Sequence, residues 1–187
     1  MILGNTEIAY RGEDLISPYN PARVQPASYD CTLEGGFREL VRLDHPVELT
    51  DEPLYEPIHA DYYIVPAGGF VLASVRERFN LPLVLDGEVK GRSSVGRQGI
   101  FVQNAGFVDP GFKGKLTLEI FNASPNALIL RAGQVVCQVA FAEVGGCHKG
   151  YDGRYQGQDE VTGSRLYLDK KFSRDMRHQS GIQGMGA

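Results

Sequence analysis

No apolar run in this chain approaches the roughly 18–20 residues a membrane-spanning helix needs, and the opening M-I-L-G-N-T-E lacks a basic segment followed by an apolar one. The expectation is a cytosolic protein with no membrane partner. Cysteine is scarce: Cys31, Cys137 and Cys147 are odd in number and lack the close paired spacing of a disulfide framework or a zinc site. There is no basic surplus either. A formal charge of −4 argues against broad nucleic-acid binding, which shows a basic balance or stripe. Three catalytic signatures are missing as well. His45, His59, His148 and His178 form no H-x-E paired with P-C-x-x-C, so the zinc route of nucleobase deaminases is excluded. There is no G-x-x-x-x-G-K-[ST] loop and no G-x-S-x-G elbow, which removes P-loop hydrolysis and serine-hydrolase chemistry. No internal repeat or low-complexity block is present.

What remains is a chain of 187 residues, 42% apolar, long enough for one domain with a substantial core. Ile8, Ala9, Leu15 and Ile16 give a weak helical stripe over 6–16, interrupted by Gly12. Beyond it, 62–66, 70–75, 80–85, 99–103, 115–121, 127–131 and 134–142 are short runs rich in Val, Ile, Leu and Phe, separated by Gly or Pro clusters. With 23 glycines and 10 prolines, this pattern predicts an all-β barrel or jelly roll with one or two short helices. In K-L-T-L-E-I-F, alternation turns Leu116, Leu118 and Ile120 to the core and puts Thr117, Glu119 and Phe121 on the other face.

The densest chemistry lies between Gly91 and Phe121, where two arginines, three hydroxyl side chains and two carboxylates fall within 31 residues. Arg92 and Arg97 bracket Ser93 and Ser94. A helix or turn beginning at Ser93 would set backbone N–H groups beside two guanidiniums, a cradle for phosphate; it would equally give an N-cap serine and a solvent-facing arginine. Lys90, Arg92 and Arg97 suffice for a triphosphate, with a divalent cation cancelling part of its charge. Asp109 stands among Gly106, Pro110 and Gly111, where an Asx-turn is the simpler reading. Glu119, mid-strand, is either a solvated outer-face residue or a base with a pKa raised by partial burial. The segment Y-D-G-R-Y-Q-G-Q at 151–158 has the composition of a surface loop.

This stretch, together with V-Q-P-A-S-Y-D (Val24 to Asp30) and Y-D-G-R-Y-Q-G-Q, resembles the dCTP deaminase branch of the dUTPase-like superfamily over roughly residues 1–170. The resemblance implies a distorted β-barrel assembled as a homotrimer, with sites shared between chains, and a nucleotide-covering segment at 151–170. Residues 171–187 would be a flexible tail. It implies a nucleotide site of Arg92, Ser93, Ser94, Val95, Gly96, Arg97, Ala105, Asp109, Thr117, Leu118, Glu119, Gln138, Tyr151, Arg154 and Gln158. Glu119 would activate water for attack on the cytosine of dCTP. Asp109 would orient water on the α-phosphate, and Ser93 and Arg97 would reach toward the base end. Phe107 would pack on the deoxyribose, unless it is a core aromatic. The Gly106–Phe107 pair resembles enzymes that also cleave the triphosphate and release dUMP and diphosphate. Mg²⁺ bound through the triphosphate, no zinc, and feedback by dTTP complete the implied picture. One departure matters: V-Q-N-A-G stands where deaminases carry a pattern like V-H-x-T-A-G, one residue longer, and the shorter spacing resembles dUTPases. A dCTP deaminase releasing dUTP, a plain dUTPase and a catalytically silent nucleotide-binding regulator therefore stand as alternatives.

Overall fold

A computed structural model describes residues 1–103 and 107–169. The chain opens with α1 (Asn5–Leu15), broken at Gly12, whose Ile8 and Leu15 face the core. Strands follow as β1 (Ile16–Ser17), β2 (Val24–Gln25), β3 (Ser28–Leu40), β4 (Tyr55–His59), β5 (Tyr62–Val65), β6 (Phe70–Asn80) and β7 (Leu85–Gly91). After the short helix α2 (Ser93–Gly96) come β8 (Ile100–Gln103), β9 (Phe107–Val108), β10 (Lys113–Asn122), β11 (Leu128–Arg131) and β12 (Val135–Glu143). Among the described residues, ten strands form one curled sheet with the path β8-β10-β6-β3-β12-β7-β9. β1 joins β6, β2 and β4 join β3, and β5 and β11 pair separately. Every pairing is antiparallel. The expected all-β fold with one or two short helices is what the chain adopts, its sheet curled into a half-barrel.

The 13-residue β3 is the spine of the sheet. Its first half pairs with β12 through Tyr29 to Thr32, and its second half with β6 and β4 through Leu33 to Leu40. A register shift between Leu33 and Phe37 lets one strand serve both halves of the curl. Tyr29, Leu33, Phe37, Phe79, Leu118, Ile120 and Phe141 fill the interior. One carboxylate lies wholly inside. Glu77 is 0% exposed and accepts from Thr32 N–H at 2.9 Å, Thr32 Oγ1 at 2.8 Å and Arg23 Nη1 at 2.5 Å, so its charge is paired and hydrogen-bonded.

Most predicted strands stand where the apolar runs placed them, but 80–85 is not one of them. β6 ends at Asn80, and Pro82 turns the chain through a Leu85 N–H to Pro82 carbonyl bond of 3.2 Å before β7 begins. Three sizeable strands were missed: β3, β4 and β7. β3 buries Ser28, Asp30 and Thr32 beside its apolar residues, so its polarity conceals its burial. β4 and β7 carry Pro57, Glu56, Asp86 and Glu88, which read as loop.

Candidate active site

Alternation along β10 behaves as the pattern requires: Leu116, Leu118 and Ile120 are buried while Thr117, Glu119 and Phe121 face the other way. On that face a cavity of about 630 Å³ opens between β10, the β9 turn and the C-terminal segment. Glu119, Thr117, Asp109 and Phe107 line it together. Burial pushes the Glu119 carboxyl above its ordinary range, because half-removing a carboxylate from water disfavours its charged form. Asp109 stays exposed, and its backbone carbonyl, rather than its side chain, accepts from Phe112 N–H at 3.1 Å. Gly111, at φ +83°, makes the turn after Pro110; a Cβ there would stand 2.8 Å from Gly150 Cα, so the glycine lets the C-terminal segment run beside the Asp109 turn. Phe107 is 64% exposed at the cavity rim and is therefore not a core aromatic.

Residues 151–165 form a strap that lines one side of the cavity and is held to its own chain. Tyr151 N–H donates to Pro110 O at 2.7 Å and its ring packs on Phe112 at 5.9 Å. Gln158 brackets Lys115: its carbonyl accepts from Lys115 N–H at 2.9 Å and its Nε2 donates to Lys115 O at 2.7 Å. Arg38 Nε donates to the carbonyl of buried Val161 at 2.6 Å, and Arg78 pairs with Asp159. Thr162 N–H donates to Thr117 Oγ1 at 3.1 Å and Ser164 N–H to Tyr55 Oη at 3.2 Å. Tyr55, Tyr155 and Thr162 thus line the cavity although the sequence reading did not include them. Tyr155 lies in the same Y-D-G-R-Y-Q motif, a signal that was available; Tyr55 lies in a strand that was missed.

The arginine–serine string builds a second concavity. α2 starts directly after Arg92, and Arg97 N–H closes it on Ser93 O at 3.0 Å. Arg92, Ser93, Ser94, Arg97 and Gln138 line a pocket of about 490 Å³ with Ser28 and Asp30. Ser28 Oγ donates to Gln138 Oε1 at 2.7 Å, and Arg92 Nη1 lies 2.6 Å from Asp30 Oδ2. Cations, hydroxyls and an amide in one dish suit a polyanion.

These two groups are not brought together in one chain: neither pocket contains a residue of the other. Tyr151 and Gln158 belong with Glu119, whereas Arg154 turns away from the cavity to pair with Asp169 at 3.3 Å. Leu118 has its side chain in the core, and Val95 packs against the core beneath α2; Gly96 lines neither pocket. Ala105, Gly106 and the tail 171–187 lie outside the described residues. The described residues hold no group of three or more His, Cys, Asp or Glu arranged for a metal ion.

A sequence model of proteins described as dCTP deaminase-like matches residues 2–144, a span that includes both carboxylates and the arginine–serine string. The chain belongs to the dCTP deaminase-like family. The protein of Persephonella marina named dCTP deaminase, dUMP-forming, is 37% identical over 171 residues, 88% of this chain and 94% of that one. Its counterpart of the same name in Aquifex aeolicus is 34% identical over 175 residues, 89% and 93% of the two chains. Both alignments are longer than the family match and take in part of the strap. The crystal structure of 2'-deoxycytidine 5'-triphosphate deaminase from Agrobacterium tumefaciens superposes with a TM-score of 0.60 at 22% identity, over 77% of this chain and 49% of that longer one, a likeness of fold.

Proposed function

We propose that the protein hydrolytically deaminates dCTP and cleaves the resulting triphosphate, releasing ammonia, dUMP and diphosphate. The observation that carries this reading is Glu119 and Asp109 facing one cavity, the former with a raised pKa, in a member of this family whose relatives bear that activity in their names. A dUTPase needs an aspartate to orient water at phosphorus; it has no use for a second carboxylate poised as a base. Glu119 takes a proton from water as the water oxygen bonds to C4 of cytosine, then delivers it to N3. A second proton passes from the new hydroxyl to the exocyclic amine, the C4–N bond breaks, ammonia leaves, and the ring is uracil. A pKa lifted toward neutrality suits a group that both accepts and returns protons. Asp109 then aligns a second water on the α-phosphate, and diphosphate departs as the bond to the β-phosphate breaks. Arg92, Ser94 and Gln138 hold the phosphates, Ser93 and Arg97 reach from the same string toward the base, and Phe107, after Gly106, packs against the deoxyribose.

Because the two carboxylates and the arginine–serine string occupy separate pockets of one chain, the working site is completed by a neighbouring chain, in the homotrimer that the family resemblance implies. Mg²⁺ fits as a companion of the triphosphate: the polar dish offers cations, hydroxyls and a carboxylate already engaged by Arg92, which leaves phosphate oxygens and water as its ligands. When bound it offsets phosphate charge. Cytoplasmic action, with dTTP competing at the same site, completes the proposal.

The test is to incubate the purified protein and Mg²⁺ with dCTP or dUTP separately and to resolve the nucleotides by ion exchange. Conversion of dCTP to dUMP supports the reading. Release of dUTP alone would make it a deaminase only, consumption of dUTP alone a dUTPase, and no turnover a silent nucleotide binder.

A further inference from the structure

A carboxylate beside a polyanion pocket is electrostatically misplaced unless it acts on something else, because it repels the phosphates that the arginines attract. Asp30 is such a group. It lies in β3, in register with Gln138 of β12, and both line the pocket with Arg92. Its side chain is 7% exposed, against 34% for Arg92. Its Oδ2 accepts from Arg92 Nη1 at 2.6 Å and from Gln25 Nε2 at 3.1 Å, and its Oδ1 is buried with no hydrogen-bond partner among the described residues. A buried ion pair is a weak source of stability, since desolvation offsets most of the attraction, and an orphaned carboxylate oxygen makes this one weaker still. What the pair does provide is orientation. Held at one nitrogen by a rigid strand, the Arg92 guanidinium keeps its remaining N–H groups for the pocket, and the side chain is ordered before a ligand arrives.

We infer that Asp30 is the positioning residue for Arg92: it presents the guanidinium to the phosphate chain of the nucleotide and touches neither substrate nor reacting atoms. The inference rests on the proposed role of Arg92 as a phosphate ligand, and its test separates the two. Titration calorimetry with dUMP and with α,β-imido-dUTP, both in Mg²⁺, reads the phosphate chain apart from base and sugar. Asp30→Asn keeps the shape and removes the charge. It is expected to weaken α,β-imido-dUTP binding by about tenfold, the scale of re-ordering one long side chain, while dUMP changes by less than about twofold and kcat for dCTP by less than about threefold, the change appearing in KM. Arg92→Gln is expected to weaken α,β-imido-dUTP at least as much, and the double variant to match Arg92→Gln alone, because residues acting through one contact are not additive.

Equal or tighter binding of α,β-imido-dUTP by Asp30→Asn overturns the inference, as does equal loss for dUMP or additivity with Arg92→Gln. An Arg92→Gln protein that binds α,β-imido-dUTP like wild type instead removes the phosphate-ligand reading itself. Should Asp30→Asn fail to fold, Asp30→Glu takes its place: it keeps the charge but displaces the guanidinium by a methylene, and the same selective loss is expected, with its absence counting against the inference.

Discussion

Glu119→Gln separates the chemistry at cytosine from everything else the cavity does. Glutamine keeps the size and polarity of the side chain, so the face shared with Thr117 and the β10 pairings to Leu72 and Gln103 should persist. What is lost is the proton acceptor, and general-base removal costs about 10²-fold or more in rate, equivalent to about 2.7 kcal/mol of barrier. The pH dependence adds a sign that can be checked. Burial raises the folded-state pKa of Glu119 above its ordinary 4.5, so ionising it costs stability as pH rises through the folded value, whereas below the unfolded value the native state gains relative to that limit. Glu119→Gln should therefore be slightly more stable than wild type at pH 8, with the advantage disappearing below about pH 4. The acidic limb of wild-type kcat/KM for dCTP should lie above 4.5 and be absent from any residual activity of the variant. Rates are read from dCTP loss by ion exchange, and stability from thermal melts at both pH values. Deamination within tenfold of wild type would refute the assignment of Glu119 as base, and an unchanged acidic limb in the variant would assign that titration to another group.

Asp109→Asn is expected to slow phosphate cleavage most, so that dUTP accumulates from dCTP in a time course; dUMP as sole product at wild-type rate would remove Asp109 from that step. Mixing Glu119→Gln with Arg97→Gln under conditions that exchange subunits should restore part of the dCTP turnover that neither variant has alone, since some sites would combine an intact carboxylate pocket with an intact arginine–serine pocket; no recovery, or an active monomer of about 20.5 kDa by light scattering, counts against shared sites. Gly163→Ala places a Cβ 2.5 Å from Tyr55 Cε2, so the Tyr55 ring or the strap has to shift, and the Ser164 contact to Tyr55 Oη with it; kcat/KM should fall by about tenfold, with a stability loss of about 1–2 kcal/mol read from denaturant curves. Arg23→Met leaves Glu77 buried with only Thr32 as a hydrogen-bond partner among the described residues, and chemical denaturation should show a loss of about 3 kcal/mol that Arg23→Met/Glu77→Gln largely recovers.

Local pattern carried much of this protein. Period-2 alternation placed Glu119 and Thr117 on the face opposite Leu118 because each strand residue reverses direction, a property of the backbone that needs no knowledge of partners. The string from Arg92 to Arg97 does form a short turn of helix beginning at Ser93, but not by serine capping: Arg92 holds the N-cap position and no side chain caps the helix. The same local logic failed at β3, where Ser28, Asp30 and Thr32 are buried with hydrogen bonds to Gln138, Arg92 and Glu77 from far along the chain. A polar strand reads as surface until its distant partners are known.

The sequence by itself determined the fold class, the family resemblance and the acids, arginines and serines proposed for the site. Only the tertiary structure decided their grouping. It divided those residues between two pockets, put Tyr151 and Gln158 with Glu119 while turning Arg154 away to Asp169, and joined Asp30 to Arg92. The physical reason is that side-chain type and alternation are local properties, whereas a pocket is made where strands remote in sequence become neighbours. Which strands those are depends on the register shift in β3 and on the long-range hydrogen bonds of the strap, neither of which has a local signature in the sequence.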